Sequence, residues 1–162
     1  MLAVVLSACG NDQAPAESGQ DHSSGELPEG LKVAENPKFP IGSQAVILDN
    51  HMPGMKGATA TIVGAYDTTV YAVSYVPTTG GEKVTNHKWV IHEEIENAGD
   101  TPFSKGDEVT LMANHMEGMS GATASIDSAE QMTVYVVDYT PTTGGDPVKN
   151  HMWVVESELS VE

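Results

Sequence analysis

Histidine and methionine fall together twice in this chain, in a pattern whose side chains could hold a soft metal ion. The first copy reads Asn50-His51-Met52-Pro53-Gly54-Met55-Lys56-Gly57-Ala58, and the second Asn114-His115-Met116-Glu117-Gly118-Met119-Ser120-Gly121-Ala122. Thioether sulfur is a soft, neutral donor that selects Cu(I), while imidazole suits Cu(I) and Cu(II) alike. A His followed by Met at +1 and +4 offers three such donors in one segment: His51, Met52 and Met55, then His115, Met116 and Met119. Each motif lies between two predicted strands and is read as a loop that exposes its side chains, with glycines letting it fold around an ion. The competing reading makes the methionines adaptable core filler and the histidines partners of a turn. The loop motif alone leaves both readings open.

A second pattern, Asn86-His87-Lys88-Trp89-Val90, recurs as Asn150-His151-Met152-Trp153-Val154. Residues two apart on a strand share a face, so His87 goes with Trp89 and His151 with Trp153. An indole beside a His/Met site could cover a bound cation and keep water away from Cu(I). Alternatively, the tryptophans are core aromatics and the histidines satisfy buried hydrogen bonds. Five of the six histidines and both tryptophans fall in or beside these motifs, which tips the balance towards a metal site. The copies differ. His92 has Glu156 as its counterpart, and Met152 replaces Lys88, so His92 and Met152 are candidate accessory ligands that would give the two sites unequal affinities. Copper is the expected ion, Cu(I) before Cu(II), with zinc also compatible.

The chain offers little for catalysis. It has no Gly-x-Ser-x-Gly elbow, no Cys/His pair and no phosphate loop. Carboxylates that could act as acid and base do not recur: Asp67 becomes Gln131 and Glu93 becomes Ser157. The expectation is a binding protein, not an enzyme.

These motifs are positioned by a duplication. His51 and His115 are 64 residues apart, and the same offset aligns Phe39 with Phe103 and Trp89 with Trp153. The register holds without a gap from 39–95 to 103–159, with about half the positions identical. Such self-similarity has to be recognised before any fold assignment. Residues 45–48 and 108–112, 58–63 and 122–126, 69–75 and 133–139, and 86–92 and 150–155 carry the β-branched, aromatic or alternating patterns of strands. Pro77-Thr78-Thr79-Gly80-Gly81 and its copy at 141–145 are turns. The predicted class is all-β: two tandem small open barrels, SH3-like or KOW-like, at 37–96 and 101–160.

The single cysteine excludes a disulfide framework and a cysteine metal cluster. Cys9 follows Leu6-Ser7-Ala8 and a short apolar run, as in a lipoprotein cleavage site where the cysteine is acylated and becomes the mature N-terminus. Residues 1–9 are read as a truncated lipoprotein signal and 10–36, rich in small, polar and acidic residues and carrying His22, as a flexible tether. A formal net charge of −16 argues against nucleic acid, since almost nothing could neutralise phosphates.

With both motifs in hand, the chain resembles the YdhK/CopL-type lipoproteins of Gram-positive bacteria. The likeness runs through His-Met-x-Gly-Met-x-Gly-Ala-x-Ala, Val-Tyr-x-Val-x-Tyr, Pro-Thr-Thr-Gly-Gly and Asn-His-x-Trp-Val in both repeats, and through the sequence around Cys9. Some members are implicated in copper tolerance as surface copper-binding lipoproteins. The resemblance implies the same here: an extracytoplasmic protein held to the membrane through Cys9, capturing the ion through His51, Met52, Met55, His87 and their copies, and buffering it or passing it to a copper exporter. The alternative is a metal-independent module for cell-wall polymer or a partner protein.

Overall fold

Two long strands organise the molecule. The computed structural model describes residues 27–162, and its elements in chain order are β1 (Lys32–Val33), β2 (Gln44–Ile47), β3 (Thr59–Tyr75), β4 (Val84–Ile91), β5 (Glu108–Thr110), β6 (Thr123–Tyr139), β7 (Val148–Val155) and β8 (Leu159–Ser160). Short 3-10 turns, His92–Glu94 and Glu156–Glu158, follow β4 and β7. Among the described residues no helix is long and apolar enough to cross a membrane.

The all-β class is as expected; the strand lengths are not. The sequence predicts separate strands at 58–63 and 69–75, and again at 122–126 and 133–139. Instead β3 and β6 run unbroken for 17 residues. They pair antiparallel along their whole length, from Ala60 opposite Tyr139 to Tyr75 opposite Ala124. The polar middle is not a turn. Asp67 faces Thr133, whose hydroxyl donates to the Asp67 carboxylate at 2.7 Å, so cross-strand pairing serves where apolar burial does not.

The register defines a pseudo-two-fold axis, because the 64-residue offset carries the first of those end pairs onto the second. All eight strands join one sheet, with path β5-β6-β3-β2-β8, β1 and β4 also on β3, and β7 on β6. β1 lies in the stretch expected to be tether: Lys32 and Val33 pair with Asp67 and Tyr66, and Ala34 is buried.

The sequence repeat and the packing unit do not coincide. One core joins Phe39, Ile47, Met55 and Ala58 of the first repeat to Tyr135, Val137, Val154 and Leu159 of the second. A second joins Tyr71, Val73, Val90 and Ile95 to Val109, Leu111, Met119 and Ala122, and a third joins Val70 and Ile91 to Val134, Val136, Met152, Trp153 and Val155. Each of the first two is therefore half of one repeat closed by half of the other. The cause is the long β3–β6 ladder: a continuous strand cannot fold back on its own repeat midway, so its two ends serve two different cores.

Candidate metal centre

The crossover places both His/Met loops and both His-x-Trp strands at one cleft. A cavity of about 520 Å³ is lined by His51, Met52, His87, His115, Met116, His151 and Met152, with Asp49, Pro53, Val84, Thr85, Asn86 and Lys88. Four histidines and three methionines from the two repeats thus line a common space. The residues predicted to form a pair of separate sites line, in the structure, one shared cleft.

Two expected ligands are absent from it. Met55 and Met119 are completely buried, one in each core. The loop that carries them is a tight turn, not an open one: the Met55 amide donates to the Met52 carbonyl at 3.2 Å, and the Ala58 amide to the Met55 carbonyl at 3.1 Å. That turn sends the second methionine inwards while the first stays at the cleft. Met55 and Met119 are therefore core filler, whereas Met52 and Met116 line the cleft.

His92 also lies elsewhere. The Tyr71 hydroxyl and the His92 Nδ1 are 2.8 Å apart, and the His92 Nε2 is 2.8 Å from the Gly99 carbonyl. Both ring nitrogens are used in pinning the inter-repeat segment. Cys9 and His22 lie outside the described residues.

Neither tryptophan lines the cleft, and Trp153 is a core aromatic, as the alternative reading has it. Trp89 Nε1 donates to Glu158 at 2.7 Å, and Trp153 Nε1 donates to Glu94 at 2.7 Å. The other oxygen of each carboxylate meets a loop histidine: Glu158 bonds His51 Nε2, and Glu94 Oε2 is 2.6 Å from His115 Nε2. Each glutamate also accepts a backbone amide, from Val155 and Ile91 respectively. The outcome is two reciprocal His–Glu–Trp sets in which one repeat supplies histidine and indole and the other the carboxylate. The cation that does sit over an indole is Lys88, 5.2 Å from the Trp89 ring; Trp153 packs edge-on against Tyr66.

Glu94 and Glu158 are not among the residues the sequence motifs single out, and they are an exception to the non-recurrence of Asp67 and Glu93. They are the one acidic pair identical across the alignment from 39–95 to 103–159, and that identity was the available signal. Both are buried, which for a carboxylate requires such partners.

His87 is the most telling side chain. Its Nε2 is buried and makes no hydrogen bond in the structure. The ring packs edge-on against Tyr75 and lies 6.1 Å, centroid to centroid, from His115. Burial, reinforced by the charges of His115 and His51, lowers its pKa to about 4. His87 is consequently neutral at physiological pH, the form in which imidazole binds metals. His51 behaves oppositely: burial opposes its charge, but the Glu158 hydrogen bond and the charges of Glu158 and Asp49 raise its pKa overall. Met116 stands at the rim with its sulfur 3.8 Å from the donating Tyr75 hydroxyl.

The sequence matches the family described as "Protein of unknown function (DUF1541)" twice, over residues 41–92 and 105–156. The chain belongs to the DUF1541 family. It is 56% identical to the Bacillus subtilis (strain 168) protein YdhK, described as uncharacterized, over 99% of this chain and 85% of that protein. A crystal structure of ydhK as a DUF1541 family protein from Bacillus subtilis superposes with a TM-score of 0.86 at 61% identity, covering 89% of this chain and 99% of that one. A solution structure of the ydhK C-terminal domain gives 0.74 at 62% identity, covering 76% of this chain and 94% of that one. The two DUF1541 matches correspond to the duplication, and the residues between the loops and the His-x-Trp strands lie inside them.

Proposed function

We propose that this DUF1541 protein binds a soft metal ion, copper as Cu(I), in the cleft between its two repeats and thereby sequesters or buffers it. The observation that carries this reading is the convergence of His87, His151, Met52 and Met116 on one cavity, with a neutral, buried His87 whose Nε2 has no hydrogen-bond partner. Mixed imidazole and thioether donors are the set that discriminates Cu(I) from harder cations. Met152, largely buried in a core cluster, also borders the cleft. His51 and His115 line the same cleft with Nε2 turned towards glutamates and are not counted among the Cu(I) donors.

On this reading Cys9 carries the acyl anchor, the protein works on the outer face of the membrane, and the ion is held there or handed to an exporter. The resemblance around Cys9 supports that placement.

The test is titration of the chain from residue 27 with Cu(I) against a chromophoric chelator. The expected stoichiometry is set by one cleft per chain and not by the number of loops. Replacing His87 and Met116 together should weaken binding by at least tenfold, a ligand-scale effect. Undiminished Cu(I) affinity after removal of His87, His151, Met52 and Met116 would refute the assignment.

A further inference from the structure

The cleft is not symmetric, and its first-repeat wall holds a cluster of another chemistry. Asp49, His51 and Glu158 each offer one ligand atom, all within 4.8 Å of one another. His51 Nε2 bonds Glu158 and lies 3.6 Å from Asp49 Oδ2. An imidazole nitrogen carries at most one proton, yet two carboxylates face this one. Glu158 is fixed from behind by the Trp89 indole and the Val155 amide, so its position does not depend on His51. The pseudo-symmetric wall has His115 and Glu94 in the same relation, but Ala113 stands where Asp49 would be.

We propose that Asp49, His51 and Glu158 form a second, distinct metal site that takes a borderline divalent cation such as Zn(II), with no counterpart on the other wall. Two carboxylates and one imidazole are hard-to-borderline donors, unlike the imidazole and thioether set beside them, and they disfavour Cu(I). Ligands about 2.1 Å from an ion lie roughly 3–4 Å from one another. The Asp49–His51 separation already meets that condition, and the His51–Glu158 pair opens to it when the ion replaces the shared proton. Two carboxylates also balance the charge of a divalent ion, which makes the burial of Glu158 beside Asp49 favourable in the bound state. The site stands on these three residues and does not depend on the Cu(I) assignment.

The experiment uses the full chain with Zn(II) as probe at fixed neutral pH, in competition with a chromophoric chelator. One tightest Zn(II) equivalent is expected, weakened at least tenfold in Asp49→Asn, a near-isosteric change at a half-exposed position. Asp49→Ala, tested in parallel, should behave alike. In proton NMR the His51 ring signals should shift on Zn(II) addition before those of His115. Cu(I) preloading should leave the Zn(II) equivalent in place, and His87→Ala, which reads the soft site, should leave Zn(II) affinity unchanged. Equal Zn(II) affinity in Asp49→Asn and the parent chain would overturn the proposal. So would simultaneous shifts at His51 and His115, or displacement of Zn(II) by one equivalent of Cu(I).

Discussion

At the scale of single residues, His51 and His87 of the first repeat are tuned in opposite directions, and this has a consequence for stability in the metal-free protein. His87 titrates near 4 when folded, because burial and then the charges of His115 and His51 disfavour its cationic form, against 6.5 for an unperturbed imidazole. Between those values the unfolded chain binds more protons than the folded one, so stability falls as pH drops from 6.5 towards 4. His51 is raised above 6.5; there the folded chain binds more protons, and its contribution is lost as pH rises through the folded value. The chelator-treated chain should therefore be most stable near pH 6.5, with an acid limb worth about 2–3 kcal/mol from His87. Urea midpoints measured across pH 4–9 test the curve, and His87→Phe should flatten its acid limb. A His87 ring signal titrating at an ordinary 6.5 would refute the assignment. The sequence alone marked both histidines as chemically interesting but could not separate their roles. The difference arises from Glu158, 107 positions away from His51, and no local pattern reports such a contact. The recurrence of Glu94 as Glu158 was legible, although its meaning needed the crossover.

At the scale of elements, the His/Met loop of each repeat is docked on the Pro-Thr-Thr-Gly-Gly turn of the other. The Thr142 amide donates to the Gly54 carbonyl at 2.9 Å, and the Thr78 amide to the Gly118 carbonyl at 2.9 Å. The contact is close enough to demand glycine. A Cβ on Gly54 would lie 2.6 Å from Thr143 Oγ1 and 2.9 Å from Pro141 Cβ, at a φ of +80°. Gly57, at φ +84°, has open space instead. Gly57→Ala should thus cost about 1 kcal/mol, the conformational penalty alone. Gly54→Ala should cost about 2–4 kcal/mol, once the steric conflict with the turn is added. Thermal or urea unfolding of the two variants separates these costs, and equal destabilisation would show that the docking contact is unimportant. Both motifs were visible in the sequence as loop and turn. That they touch across repeats was not, since the strand break read at 64–68 implied repeats closed on themselves. Gly64 and Asp67 carry turn-like chemistry, yet they sit inside a ladder whose partner strand lies a full repeat away.

At the scale of the whole molecule, the duplication resembles two copies of one unit that have exchanged halves. Each core needs Phe39–Ala58-type residues from one repeat and Tyr135–Leu159-type residues from the other, and each His–Glu–Trp set needs both as well. A single repeat therefore holds two half-cores with nothing to close them. Residues 101–162 alone would expose Leu111 and Met119 on one side and Tyr135, Val137 and Leu159 on the other, all buried in the intact chain. Two copies can rebuild the arrangement, since an antiparallel β6–β6 pair reproduces the offset-related register of β3 with β6. The isolated repeat should accordingly be a dimer whose folding depends on concentration, and unfolded when dilute. Light scattering on the purified fragment, with circular dichroism over a dilution series, measures both. Mixing it with the isolated first repeat should yield a heterodimer that regains the four-histidine cleft and its metal affinity, which neither repeat as a monomer would possess. A single repeat that folds cooperatively as a monomer would mean that the long β3–β6 ladder is not what assembles the cores.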